Sequence, residues 1–249
     1  GQKEKKTASG SFQTGADVLE KMAEEHELPA KILERRGFAK LKSTYTEALL
    51  NLLDANSRIH TTYNQINTTT GRLSSTNPNL QNIPIRTDMG LKIRECFIAK
   101  PGHKIISSDY SQVELRLMAV VAGVKALKEA FNHGIDIHAA TAAKVFGVPA
   151  DQVDHNLRRH AKTINFGVIY GISQYGLAKQ LGISADEAKI YIDNYFRQMP
   201  EIKAYMEKTI AFAHKNGFVL TPYGRKCFVF GINDKNKRIS SNAERAAIN

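Results

Sequence analysis

Arg158, Lys162, Phe166 and Tyr170 stand four residues apart at each step. On an α-helix four residues advance about 400°, a net drift of about 40°, so the four share roughly 120° of one face. That face would present two cations toward the helix N-terminus and two aromatic rings toward its C-terminus. A helix N-terminus carries partial positive charge and attracts phosphate. The rings would lie about 6 Å apart along the axis at a rise of about 1.5 Å per residue. The pattern suits a nucleotide laid along the helix, phosphates at one end and sugar and base at the other. The same spacing also serves an amphipathic helix whose aromatics sit in the core. Asp109 ends an apolar stretch, residues 104–109 (KIISSD), and precedes a helical pattern. A carboxylate there can hold a metal ion, and an Asp there can equally cap the helix.

Other elements must hold these residues in place. Residues 16–25 read as a helix opened by Thr14 or Gly15. Residues 28–51 read as one long helix, with Pro29 allowed in its first turn and Gly37 a weak point. Its cations Lys31, Arg35, Arg36, Lys40 and Lys42 do not share one face, which fits a solvated surface. Residues 58–70, rich in Thr, Tyr and Ile, read as a strand pair or extended segment. Residues 76–84 form a turn-rich loop with two prolines, and 104–109 a short buried strand. Residues 111–122, 136–146 and 151–171 read as helices, the first with Leu115, Met118 and Ala122 on one side. Residues 184–199 open with a capping box, Ser184 to Glu187. Pro200 starts a further helix through Lys215, residues 219–230 a hairpin around Pro222, Tyr223 and Gly224. A last helix begins at Ser240 and meets no C-cap signal before Asn249. No internal repeat is visible.

Composition narrows the partners. Of 249 residues, 42% are hydrophobic, a globular value. Lys and Arg number 35 against 24 Asp and Glu, a net charge of +11. Such a surplus fits a polyanion, most often nucleic acid, and equally a cationic protein with no special partner. The two cysteines, Cys96 and Cys227, are far apart, which argues against a zinc site or a disulfide framework. A reducing cytoplasm fits. The longest apolar run, residues 117–124, is flanked by Arg116 and Lys125 and is far short of a membrane span. The first fifteen residues, GQKEKKTASGSFQTG, hold no signal-peptide core and read as polar and mobile. The start at Gly1 reads as the cut end of a longer chain.

Five segments together resemble the bacterial family A DNA polymerases. Residues 109–119 (DYSQVELRLMA) are similar to the family's motif A, and 158–171 (RRHAKTINFGVIYG) to motif B, the fingers helix that grips the incoming nucleotide. Residues 69–86 (TTGRLSSTNPNLQNIPIR) are similar to its primer–template segment, and 28–45 (LPAKILERRGFAKLKSTY) to the base of its thumb. Residues 240–249 (SSNAERAAIN) look like the start of a palm helix lining DNA. The five stand in the family's order and cover nearly the whole chain.

The resemblance implies an α+β fold. Residues 1–57 would be a thumb remnant and 58–117 a partial palm with an antiparallel sheet, the primer–template segment and motif A. Residues 118–232 would be helical fingers, with the motif B helix at 157–171, and 233–249 the start of the palm helix. The implied activity is template-directed transfer of deoxynucleotides to a primer 3′-hydroxyl, with two Mg²⁺ ions. Asp109 would be the metal-binding catalytic carboxylate and the Tyr110 carbonyl a second ligand. Arg158, Lys162 and His138 would contact the triphosphate, and Phe166 would stack on the deoxyribose. Tyr170 would occupy the template-base position in open fingers. Glu114 would crowd a ribose 2′-hydroxyl beside Gln112. Arg72, Asn79, Gln81, Lys40, Lys42, Arg245 and Asn249 would contact DNA. Partners would be primer–template DNA and deoxynucleoside triphosphates, with no membrane and no obligate protein partner, in the cytoplasm at the bacterial nucleoid.

One departure matters. The family's second carboxylate site, a His-Asp-Glu motif, does not occur in this sequence. Asp136, Asp186, Asp193 and Asp234 read as caps and surface charges instead. The chain alone is therefore expected to be inactive. Two other readings stand beside the first. A single-subunit RNA polymerase shares motifs A and B, although Phe166 and Glu114 favour DNA synthesis. A segment that binds nucleotide or DNA without chemistry fits the lone Asp109.

Overall fold

The computed structural model describes residue 10, residues 12–85 and residues 87–249. Residues 1–9 and 11 of the polar N-terminal stretch lie outside the described residues, as does Arg86, the last of the primer–template-like segment. The fold is α+β, dominated by helices, with two small antiparallel sheets. The chain divides into two compact units. One runs up to Asn67 and includes Leu73–Ile106, and the other joins Thr68–Arg72 to Ser107–Asn249.

In the first unit, α1 (Ala16–Met22) starts after Gly15 and α2 (Glu27–Leu41) starts at His26, whose ring accepts from the Leu28 N–H. Pro29 sits in the first turn of α2 as expected, and Gly37 does not interrupt it. The single helix expected over residues 28–51 is instead three pieces. After Leu41 the backbone widens into a π-turn, Lys42–Thr46, and then a 3₁₀ turn, Leu50–Leu52. The widening accompanies the burial of Tyr45, whose hydroxyl donates to the Asn82 carbonyl at 2.5 Å. Tyr45, Leu49 and Ile93 make a small core with Leu41, Ile59, Leu80, Ile83 and Phe97. The strand pair or extended segment expected in residues 58–70 holds one short strand, β1 (Thr62–Asn64), whose antiparallel partner β2 (Ser74–Thr76) lies beyond it, Tyr63 opposite Ser75. An unanticipated helix, α3 (Asp88–Glu95), follows a Thr87 cap. Gly90 allows its close start, because a Cβ there would lie 2.6 Å from Pro84 Cβ.

The second unit holds the larger core. Its helices are α4 (Val113–Val121), α5 (Lys125–Asn132), α6 (Ile137–Phe146), α7 (His155–Ile169), α8 (Gln174–Leu181), α9 (Ala185–Gln198), α10 (Pro200–Asn216) and α11 (Lys237–Ile248). Leu115, Val124, Ile164, Val168, Leu177, Tyr195 and Ile202 pack together with almost no exposure. Ser184 caps α9 as expected, its Oγ accepting from the Glu187 N–H at 3.1 Å, while Glu187 Oε1 accepts from the Tyr191 hydroxyl at 2.6 Å. The hairpin is β3 (Phe218–Leu220) with β4 (Lys226–Phe228), Val219 opposite Cys227. Val219 and Val229 turn toward a second cluster with Ala213, Ile232, Ala243 and Ala247. Among the described residues no helix is long and apolar enough to cross a membrane.

The buried strand expected at 104–109 does not form. Those residues take no regular structure, and Ile105 and Ile106 are 64% and 90% exposed. An apolar run becomes a strand only where a neighbour completes its hydrogen-bond ladder, and no described strand pairs with it.

Core packing gives a first expected result. Leu115 is fully buried against α7 and its neighbours. Leu115→Ala removes that contact and leaves a cavity, so stability falls by about 2–5 kcal/mol. Chemical denaturation of the two proteins measures the difference, and a loss below about 1 kcal/mol would mean that α4 does not anchor this core.

Candidate functional site

α7 positions the four-residue series. Asp154 caps it, its Oδ1 accepting from the Leu157 N–H at 2.7 Å. Beyond Tyr170 the chain turns through Gly171 at φ +66°. The Gly171 N–H then reaches the Val168 carbonyl and the Ile172 N–H the Gly167 carbonyl, both at 2.9 Å. This Schellman closure satisfies the last carbonyls of the helix. Ala161, Ile164, Asn165 and Val168 form the buried face. The series lies at its edge: Lys162 is exposed, and Arg158, Phe166 and Tyr170 are half-buried. The helix is therefore amphipathic, yet its two aromatics border the core rather than fill it.

Lys162, Phe166 and Tyr170 line an open cleft of about 630 Å³ with Arg159, Thr163, Gly171 and Arg245. Arg245 comes from α11. It approaches because residue 171 is glycine: a Cβ there would stand 3.1 Å from Arg245 Cγ. Its guanidinium is also bonded to Asn242.

At the upper end of α7, Arg158 is not turned outward. Its Nε donates to Asp136 Oδ2 at 2.6 Å. Burial works against ionisation of Asp136, but the Arg158 bond and its own role as cap of α6 hold its carboxyl below the ordinary value. His138 is 2% exposed, and its ring lies 5.8 Å from that of Phe166. Asn165 Nδ2–H donates to its Nδ1 at 3.1 Å, leaving Nε2 to carry the proton. Burial first, and then the charges of Arg158 and Lys162, push its pKa down against the pull of Asp136. His138 is therefore neutral at neutral pH.

At the lower end, three residues far apart in sequence meet. Tyr170 donates its hydroxyl to Glu114 Oε1 at 2.9 Å and accepts from Arg72 Nη2 at 3.2 Å. Arg72 and Glu114 are 3.7 Å apart, and the guanidinium lies 5.8 Å from the Tyr170 ring centroid. Burial and the neighbouring carboxylate raise the Tyr170 pKa despite Arg72. Arg72, Glu114, Tyr170 and Asn249 line a second cleft of about 530 Å³.

Asp109 stands apart. It is exposed, as is Tyr110, and it does not cap α4. That place belongs to Gln112, in the left-handed region at φ +53°, whose Oε1 is buried without a hydrogen-bond partner. Helix capping is therefore not what Asp109 does. Among the described residues no three His, Cys, Asp or Glu side chains come together. The oxygens of Asp109 and Tyr110 suit a hard cation such as Mg²⁺, but their number falls short of a two-ion site.

The remaining expected contacts lie in the first unit. Lys40 is exposed, and Lys42 pairs with Glu47 at 3.3 Å. Asn79 Oδ1 accepts from Ser75 Oγ and the Gln81 N–H, each at 3.0 Å, and Gln81 Nε2 donates to Leu73 O at 3.4 Å. Both side chains brace their own loop. Of the other acids, Asp136 caps α6, Asp186 lies in the first turn of α9, and Asp234 accepts from the Asn236 N–H.

Sequence reading missed Asp136 as the partner of Arg158 and Asn165 as the partner of His138. Each lay within a quoted motif or two residues from a named residue. Arg159 and Thr163, also in the cleft wall, follow Arg158 and Lys162 in sequence and carried no separate signal.

A helix lined with cations and rings thus faces a cleft shared with a second basic helix. A family model described as DNA polymerase family A matches residues 1–249. The chain belongs to that family. It is 51% identical over 246 residues to DNA polymerase I of Pseudomonas aeruginosa, covering 98% of this chain and 27% of the relative. It is likewise 51% identical over 246 residues to DNA polymerase I of Rhizobium leguminosarum, covering 98% and 24%. The chain thus spans about a quarter of the length of these relatives. Among solved structures, it matches the POL domain of Pol1 from M. smegmatis in complex with DNA primer–template and dNTP. The TM-score is 0.86 and the identity 41%, over 99% of this chain and 44% of that one.

Proposed function

We propose that the protein carrying this chain catalyses template-directed addition of deoxynucleotides to a primer 3′-hydroxyl. The observation that carries the reading is the cleft on α7, where Lys162, Phe166 and Tyr170 share one wall with Arg245. Family membership supports it, as does the likeness to a polymerase domain that holds primer–template and dNTP.

In this reading Lys162 and Arg158 neutralise the triphosphate. Arg158 must exchange Asp136 for phosphate, or hold both. Neutral His138 offers its Nε2–H to the same group. Phe166 stacks on the sugar, and Tyr170 sits beside the templating base. Glu114, tied to Tyr170 and Arg72, fills the space of a 2′-hydroxyl. DNA contacts in this reading come from Arg72, Arg245 and Asn249 in the second unit and, separately, from Asn79, Gln81, Lys40 and Lys42 in the first, and Gln112 neighbours the nucleotide. The thumb remnant would be residues 1–57, the palm 58–117, the fingers 118–232 and the start of the DNA-binding palm helix 233–249. Two Mg²⁺ ions would supply charge neutralisation at the transferring phosphoryl group, with Asp109 and the Tyr110 carbonyl among their ligands. Among the described residues no group of three His, Cys, Asp or Glu side chains stands ready to complete their ligand set. A bacterial cytoplasm, at the nucleoid, is the fitting location.

A second reading is a segment that binds nucleotide and DNA without chemistry of its own. Primer extension by the full-length protein, set beside the 249-residue segment alone, separates the two. The first reading requires extension by the deoxynucleotide complementary to the template, and tight binding without extension would leave only the second. The sugar contact has its own expected result. Glu114→Ala opens the space beside the sugar, so discrimination against ribonucleotides drops by about tenfold, or roughly 1.4 kcal/mol. The ratio of incorporation efficiencies for one base in its deoxy and ribo forms measures this, and a ratio unchanged within about twofold would remove Glu114 from the sugar contact.

A further inference from the structure

Arg245 can border the cleft only if α11 is held in one register. The helix buries the small side chains Ala243 and Ala247 against Ala213, Val229 and Ile232, with Ile239 beside Gly231 and Ile248 beside Gly171. Polar contacts add to this packing. Ser240 Oγ donates to the Ile232 carbonyl at 3.0 Å. One turn further along, His214 of α10 stands between Glu244 of α11 and Asn233 of the loop after β4. Its Nε2 lies 3.0 Å from Glu244 Oε1 and its Nδ1 lies 2.8 Å from Asn233 Oδ1.

The Asn233 amide is oriented independently, because its Nδ2–H donates to the His214 carbonyl at 3.0 Å. Both ring nitrogens of His214 therefore face acceptors. A neutral imidazole has one N–H and one lone pair, and only the imidazolium donates from both nitrogens. The Asn233 bond, and next the Glu244 bond, raise the His214 pKa above its ordinary 6.5. Glu244 is the charged group facing the ring from α11. The loop after β4 offers neutral Asn233, while its Asp234 is turned to the Asn236 N–H.

We propose that protonated His214 is a positioning residue for Arg245, resting on the reading of Arg245 as a duplex contact. It joins α10, the 229–236 loop and α11, and so holds Arg245 at the cleft. Because the folded-state pKa is raised, the clamp is complete below the ordinary histidine value and is lost as pH rises through the raised one.

The test is the affinity of the full-length protein for a primer–template duplex between about pH 6 and about pH 9. Wild-type affinity should fall by about fivefold across that range. His214→Gln should bind at the weak, high-pH level throughout. Glu244→Gln should move the midpoint down, since it keeps an acceptor and loses the charge. In an Arg245→Ala background, His214→Gln should add nothing. If Arg245→Ala itself leaves affinity unchanged, its place as a duplex contact falls, and this role for His214 with it. If Arg245→Ala weakens binding but His214→Gln adds in full at every pH, only the positioning role falls.

Discussion

Asp109→Asn in the full-length protein should lower single-turnover incorporation by about a hundredfold or more, with primer–template affinity nearly unchanged. An amide cannot hold a divalent cation as a carboxylate does. Asp109 is exposed, does not cap α4 and belongs to no acidic cluster among the described residues. The fold therefore leaves it no structural duty whose loss would mimic a catalytic one. Duplex binding rests on contacts spread over many phosphates, so one neutralised acid should not weaken it. Both quantities come from one titration of enzyme on labelled primer–template followed by rapid quench. Incorporation within a few-fold of wild type would remove Asp109 from the chemistry. A parallel loss of duplex affinity would make it a structural residue after all.

Lys162→Ala should lower incorporation efficiency by about a hundredfold, the usual cost of removing a charged donor aimed at developing charge. The α7 cleft dictates the choice of residue. Arg158 is already held by Asp136 at 2.6 Å, whereas Lys162 is exposed on the cleft wall. Lys162→Arg should recover part of the activity, because charge is kept while reach changes. Thermal stability should hardly change, since an exposed side chain leaves no cavity. The nucleotide concentration dependence of single-turnover rates separates weaker binding from slower chemistry. An effect below about threefold would mean that the triphosphate does not lie along α7.

The face of α7 was legible because a helix writes its period into the sequence, and the four-residue series shows which side it turns outward; its start was not, since the helix expected from residue 151 begins only at His155, behind a 3₁₀ turn and the Asp154 cap. The Ser184 cap of α9 and the hairpin at residues 219–230 were legible for the same reason, local chemistry with local consequences. Other features depended on partners that no local pattern names. Residues 104–109 have a strand's composition but no ladder to join. Helix α2 passes Gly37 and changes pitch only where Tyr45 finds the Asn82 carbonyl. Sequence reading missed the short helices α3, α5 and α8, eight residues each. In the site, the Arg158–Asp136 pair spans 22 residues, and the Tyr170 bonds to Glu114 and Arg72 span 56 and 98. Only packing α6 and α4 against α7 brings such groups together. The charge of His214 was invisible for the same reason, since both of its acceptors come from other elements.

The central claim is that a templated nucleotide lies along α7. Photo-crosslinking tests it most directly, using the full-length protein, a dideoxy-terminated primer on its template, and a deoxynucleoside triphosphate with a photoreactive base. The complementary nucleotide should label peptides within residues 158–171, and excess unmodified nucleotide of the same base should abolish the label. Labelling confined to other segments, or equal labelling by a non-complementary nucleotide, would contradict the account.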